Sequence, residues 1–192
     1  MAEIYVREPD SLNSEPVSRN DPFPVYVPED RPGDPGLPPM AHRTKRLQVA
    51  VPGITTQATA YADGDTIGFP MRFPGVFRTQ RRSGLLHTAT FYDPSDSIVT
   101  QVDMHFFRQA VPNGTDNGAW AISDANVVLA WLGSVSWTTF IDIGGAKVGT
   151  AVNVGIALES ADTDLWAQLV ARAAYTITAG SEPYVAVAIL QD

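Results

Sequence analysis

The sequence predicts an all-β fold: an antiparallel β-sandwich or jelly roll with one short helix, preceded by an extended Pro-rich N-terminal arm. Three observations predict it. From residue 46 onward, about eight runs rich in β-branched and aromatic residues recur at roughly ten-residue spacing, with turn signals between them. The strands do not alternate with helices long enough for a βαβ crossover. Nine of the 15 prolines lie within residues 1–40. The expected division is an arm over 1–45 and a β-sandwich, jelly-roll-like domain over 46–192.

The arm comes first. Each proline fixes φ and removes a backbone donor, and the residue before it is pushed towards extended geometry. Regular ladders are therefore blocked, and polyproline-like chain is expected. Tyr5, Leu12, Phe23, Val25, Tyr26 and Val27 are spaced apolar or aromatic anchors within it. An arm that orders on a partner loses entropy, which only a broad contact surface offsets.

The expected strands then follow in order. "RLQVAV" (46–51) and "TTQATAY" (55–61) are short and partly period-two. "YADGDTIG" (61–68) reads as a turn at Asp63-Gly64 entering a strand. "GLLHTATFYD" (84–93) is a strand closed by the turn "DPSD" (93–96). "SIVTQVDMHFF" (97–107) alternates, with Ile98, Thr100, Val102, Met104 and Phe106 on one side. "VPNGTDNG" (111–118) is a loop. "SDANVVLAWLG" (123–133) reads as the helix, capped by Ser123 or Asp124 and ended by Gly133. "SVSWTTFIDI" (134–143), "TAVNVGIALE" (150–159), "LWAQLVARAAYTI" (165–177) and "YVAVAILQ" (184–191) complete the strands.

Bulk composition bounds the function. The chain has 192 residues, 44% hydrophobic and 18% charged, which suits one domain plus an appendage. It has no cysteine, so it has no disulfide, thiolate metal site or cysteine nucleophile. The start MAEIYVREPD is polar and lacks the apolar core of a secretory signal. No window approaches about 18 consecutive apolar residues, so no membrane span is expected. The net charge of −8 argues against a nucleic-acid binder.

That charge is uneven. Residues 1–40 carry eight acids and three arginines, residues 41–82 seven cations and two acids, and residues 83–192 three cations and eleven acids. The basic stretch opens with Arg43, Lys45 and Arg46. It continues in "MRFPGVFRTQRR" (71–82), where Arg72, Arg78, Arg81 and Arg82 interleave with Phe73 and Phe77 and follow Phe69. Arginine beside aromatics is what protein interfaces favour, so an acidic protein partner is expected there, the alternative being a solvated strand face with a few buried phenylalanines.

Catalytic and metal-binding patterns are weak throughout. His87 and His105 fall on strands expected to be neighbours, and Asp103 shares a face with His105. A solvated or hydrogen-bonded strand face is the better expectation than a metal site. "DGD" (63–65) lacks the remaining oxygen ligands and terminal Glu of a calcium loop. "IGGAKVGT" (143–150) lacks phosphate-loop spacing and reads as a hairpin turn. "NGT" (113–115) fits a glycosylation sequon, which matters only in a eukaryotic secretory setting. No G-x-S-x-G elbow occurs. No catalytic, cofactor-binding or metal residue is nominated, and no enzyme activity, cofactor or small-molecule substrate is expected.

Several stretches together resemble small virion proteins of tailed bacteriophages. They are the Tyr-Ala-Asp-Gly-Asp turn into "TIG", the "DP" turn followed by an aliphatic strand ending in Phe-Phe, "DNGAWAISDANVVLAWLG", and the ending "VAVAILQD". The resemblance is to capsid decoration, or cement, proteins, and covers about residues 55–192. It implies a sandwich or jelly-roll subunit, usually trimeric, that binds across major capsid protein seams on the outside of the virion. The implied partners are the major capsid protein and sister subunits, with no nucleic acid or membrane. The arm lies outside the resemblance. A tail, baseplate or head-fibre component is an alternative. Another is a carbohydrate- or receptor-binding module using Trp120, Trp131, Trp137 or Trp166.

Overall fold

A computed structural model describes residues 43–54, 60–79, 82–98, 101–111, 115–177 and 181–191. In chain order the elements are β1 (Arg43–Ala50), β2 (Thr66–Phe73), β3 (Ser83–Asp93), β4 (Val102–Phe107), α1 (Asp124–Ala130), β5 (Trp131–Trp137), β6 (Ile141–Asp142), β7 (Lys147–Glu159), β8 (Leu165–Ala171) and β9 (Tyr184–Gln191). They form two antiparallel sheets, ordered β1-β9-β3-β7-β6 and β2-β8-β4-β5. The all-β expectation holds.

Alternation builds the core. Val102, Met104 and Phe106 of β4, with Leu165, Ala167 and Leu169 of β8, join Ala89 and Phe91 of β3 and Val185, Val187 and Ile189 of β9 in one buried cluster. Successive strand residues point to opposite faces, so these i, i+2 sets share one side. β4 is unusual in being buried at every position. On its other face Arg172 binds Asp103, Trp120 stacks on His105, and Phe107, Val111 and Ala130 make a second small cluster with Trp120, Ile122 and Trp166.

Several boundaries differ from expectation, each for a physical reason. β1 begins at Arg43, not 46: Arg43, Thr44 and Lys45 pair with Gln191, Leu190 and Ile189, so the expected 45/46 boundary falls inside a strand. Ser123 caps α1, its side chain accepting from the Asn126 N–H, but the helix stops at Ala130 rather than near Gly133. Trp131 is drawn into β5 by pairing with Phe107 of β4, with Leu132 at the register shift before Gly133 pairs with Phe106. Gly133 sits within β5 at φ +147°, where a Cβ would lie 3.1 Å from Ile156 Cγ2. It therefore serves a close sheet-to-sheet approach rather than a helix end.

β8 ends at Ala171, not 177. The Arg172 N–H turns to Gln101 O (3.0 Å) and the guanidinium to Asp103, which takes the chain out of the ladder. Beyond it Tyr175 makes an isolated bridge to Tyr61. Of the strand expected over 97–107, Val102–Phe107 form β4, and residues 99–100 lie outside the described residues. The stretch 134–143 is divided between β5 and β6. The strand expected at 55–61 lies mostly outside the described residues, as do residues 1–42 of the arm and the first two residues of the "NGT" sequon. The "DPSD" turn is as read: Asp93 is fully buried and its carboxylate accepts the N–H groups of Ser95, Ser97 and Ile98 at 2.8–3.0 Å.

Candidate functional site

The basic stretch is largely committed to its own fold. Asp164 accepts the Gly75 N–H (2.7 Å) and Arg72 Nε (2.5 Å), and Arg72 Nη2 pairs with the same carboxylate. The Gly75 hydrogen bond, which outweighs the opposing effect of burial, and Arg72 together hold Asp164 below the usual carboxylate range. Lys45 donates to the Gly75 carbonyl, and Arg82 donates to the Ala161 carbonyl (2.5 Å). One guanidinium nitrogen of Arg78 is buried. Arg81 lies outside the described residues, as do Tyr5, Phe23, Val25 and Tyr26. Arg72 and Arg82 therefore tie the β2–β3 region to the segment 160–164, while Lys45 ties β1 to Gly75. Arg46 differs: it stands on the outer face of β1 and pairs with none of the described residues.

The histidines do not meet. His87 lies on β3 in the five-stranded sheet, exposed and bonded to Thr88 (2.9 Å), while His105 lies on β4 in the other sheet. The expected neighbouring pair is thus corrected. Asp103 and His105 do share a face, and it is closed rather than solvated: their exposures are 7% and 8%. Burial works against charge on Asp103, but bonds from Ser136, Gln101 and Arg172 outweigh it and lower its pKa. His105 is opposed by Ser134 and Gln168 across the ladders, yet neither ring nitrogen has a partner. A nucleophile–base–carboxylate relay needs those hydrogen bonds, and here Asp103 is bound to Arg172 (2.6 Å) instead. The cluster holds a fold together.

A groove of about 390 Å³ lies on the outer face of the five-stranded sheet. Register builds it from three cross-strand rows. One row is Gln48, Ala186, Thr90 and Thr150. The next is Ala50, Tyr184, Tyr92 and Val148. The third is Arg46, Ala188, Thr88 and Val152. Small Ala186 and Thr90 form the floor. Tyr92 and Tyr184, directly opposed with ring centroids 6.3 Å apart, form one wall. Arg46 and Gln48 form the other on the edge strand. Among those three rows of four, Arg46 is the single charged side chain, in a chain that is 18% charged overall. Depletion of charge around aromatic residues and arginine is the composition of an interface core.

Apolar side chains also remain outside. Val128 is 84% and Leu129 65% exposed on α1, and Trp131 43% beside them. Ile141, Ile143 and Val152 are similarly exposed. Of the four tryptophans, Trp137 is core, donating to the Ala89 carbonyl (3.2 Å), Trp120 stacks on His105, and Trp166 packs in the second cluster. Trp131 is left as the surface one.

Sequence reading missed the groove. "YVAVAILQ" and "TATFYD" do show Tyr184, Ala186, Thr90 and Tyr92 on one parity, but pairing of β9 between β1 and β3 is what unites them. Comparison with known proteins finds no matching family model and no matching curated protein.

Proposed function

We propose that this chain is a structural virion protein: a capsid decoration protein whose sandwich or jelly-roll domain and Pro-rich arm bind across major capsid protein seams, as a homotrimer, on the outside of a tailed-phage shell. The observation that carries the reading is the surface of α1 and the start of β5, where Val128, Leu129 and Trp131 face solvent together. Large contiguous apolar side chains on a subunit mark a contact with another protein. The resemblance to decoration proteins supplies the identity of that protein. The arm, with spaced aromatic anchors, suits a shallow seam, and repetition around a trimer adds avidity without any deep pocket. Whatever binds the assembled shell better than its free subunits stabilises the shell by mass action.

The test is co-sedimentation of the full chain with expanded shells of the major capsid protein. Saturable binding is expected. A chain starting at Ala41 keeps all of β1 and is expected to fold but to lose the shell. No sedimentation of the full chain overturns the reading; undiminished binding of the shortened chain overturns the role of the arm.

A further inference from the structure

We infer that the tyrosine-walled groove on the five-stranded sheet receives an acidic, proline-rich segment from a second copy of this chain, residues 20–40.

The groove defines what it can take. Its floor is Ala186 and Thr90 and its wall is the Tyr92–Tyr184 pair, so it accepts a compact apolar ring packed against aromatic faces. Proline-rich segments dock in aromatic-lined grooves in this way, because their restricted backbone loses little entropy on binding. The charge of the site is Arg46, which no described residue neutralises. The occupant therefore brings a carboxylate, which a guanidinium binds with charge-assisted hydrogen bonds. Gln48 and Thr90 add polar groups for a backbone that offers carbonyls but few N–H donors. The seven prolines of residues 20–40 interrupt the donors that a long ladder on the edge of β1 would need, so contact across the sheet face is favoured.

Residues 20–40 meet each requirement. They hold seven prolines, the acids Asp21, Glu29, Asp30 and Asp34 against Arg31, and the aromatic residues Phe23 and Tyr26. Their sign is complementary to Arg46. This inference rests on the reading of the arm as a binding element. It is separable from shell attachment, because it is read in solution with no shell present.

The experiment places a photoreactive phenylalanine analogue at Val148, on the groove rim, in the full chain. That chain is co-produced with a second full chain whose arm is mass-marked by Val25→Ile, so that any adduct with the marked peptide arises between copies. Adducts of position 148 with the mass-marked form of the 20–40 peptide are expected. Arg46→Glu in the chain bearing the analogue should lower their yield about tenfold, the size of one charge-assisted contact, whereas Arg46→Lys should keep it within about threefold. Melting temperature checks that both variants fold; both substitutions are on an exposed edge-strand position. Adducts with the unmarked peptide alone, adducts that map elsewhere, or no adducts at all overturn the inference. So does an adduct yield indifferent to Arg46→Glu. Failure here with shell binding intact removes the groove and leaves the decoration reading standing.

Discussion

The imidazole of His105 lies flat on the indole of Trp120, with 4.2 Å between ring centroids and 21° between planes. Burial lowers the His105 pKa from about 6.5 to about 4, the nearby Arg172 adding to the effect and Asp103 opposing it. A neutral ring is thus favoured in the folded state and a protonated one in the unfolded chain. Stability from this site is complete above the unfolded value of about 6.5 and is lost as pH falls towards 4. Asp103 and Asp164, both held low, stay charged through this window. Unfolding free energies from urea titrations should fall between about pH 6.5 and about pH 4.5 by an amount of order 2 kcal/mol after solvent screening. His105→Phe keeps the stacking and removes the titration, so its midpoint should vary much less with pH over that range. An equally steep dependence in the variant would refute the assignment.

Asp164 should be the most costly acid to remove from the β2–β3 end of the molecule. Its carboxylate is 7% exposed and satisfies both the Gly75 N–H and Arg72. Asp164→Ala leaves a backbone donor and a guanidinium without their acceptor, which costs about 2–4 kcal/mol. Arg72→Ala should cost about 1 kcal/mol, because that side chain is 59% exposed and water can replace part of its role. Urea unfolding of the two single variants and the double variant measures the coupling. Equal losses for both single variants would contradict this account.

Gly68 stands in β2 at φ +66°, and its own N–H donates to Asp116 Oδ1 (2.7 Å). A Cβ there would lie 2.6 Å from the Pro52 carbonyl oxygen and 2.6 Å from Val51 Cγ1. Neither the left-handed backbone nor that contact suits alanine. Gly68→Ala should lower stability by about 2 kcal/mol or more. Gly64, also at positive φ but with open space around it, should cost about 1 kcal/mol when replaced by alanine. Thermal melts of the two variants give the comparison, and an equal loss would show that backbone strain alone sets the cost.

The fold was legible where period and turn chemistry are local. Asp93 and Ser123 fix their turn and cap through short-range hydrogen bonds, and the turn at Asp63-Gly64 is closed by bonds between Ala62 and Asp65 on either side of it. What was not legible depends on pairing across the chain. Trp131 and Leu132 continue a helical pattern, and pairing of Trp131 and Gly133, on either side of Leu132, with β4 makes the stretch strand. Arg72 and Arg82 read as a binding strip, whereas Asp164 and the Ala161 carbonyl, far along the chain, occupy them. His87 and His105 are close in sequence and belong to different sheets. The groove needs four strands in register, and no segment carries its signature alone.

The apolar surface of α1 gives the sharpest test of assembly. Within the helix, Ala130 is the buried residue, so Val128 and Leu129 contribute little to the fold. Replacing Val128 with Lys and Leu129 with Gln should leave the melting temperature nearly unchanged, since surface substitutions usually change stability by less than about 0.5 kcal/mol. If these side chains are buried against a sister subunit or a shell, each contributes about 1.5–3 kcal/mol to that contact. The double variant should then weaken association at least about a hundredfold. Light scattering reads the subunit contact, as a lower mass at equal concentration. Shell co-sedimentation reads the other, with mass unchanged. A variant that keeps both its mass and its shell affinity would show that α1 faces water in the assembled state. The interface would then have to be sought on Ile141, Ile143 and Val152 instead.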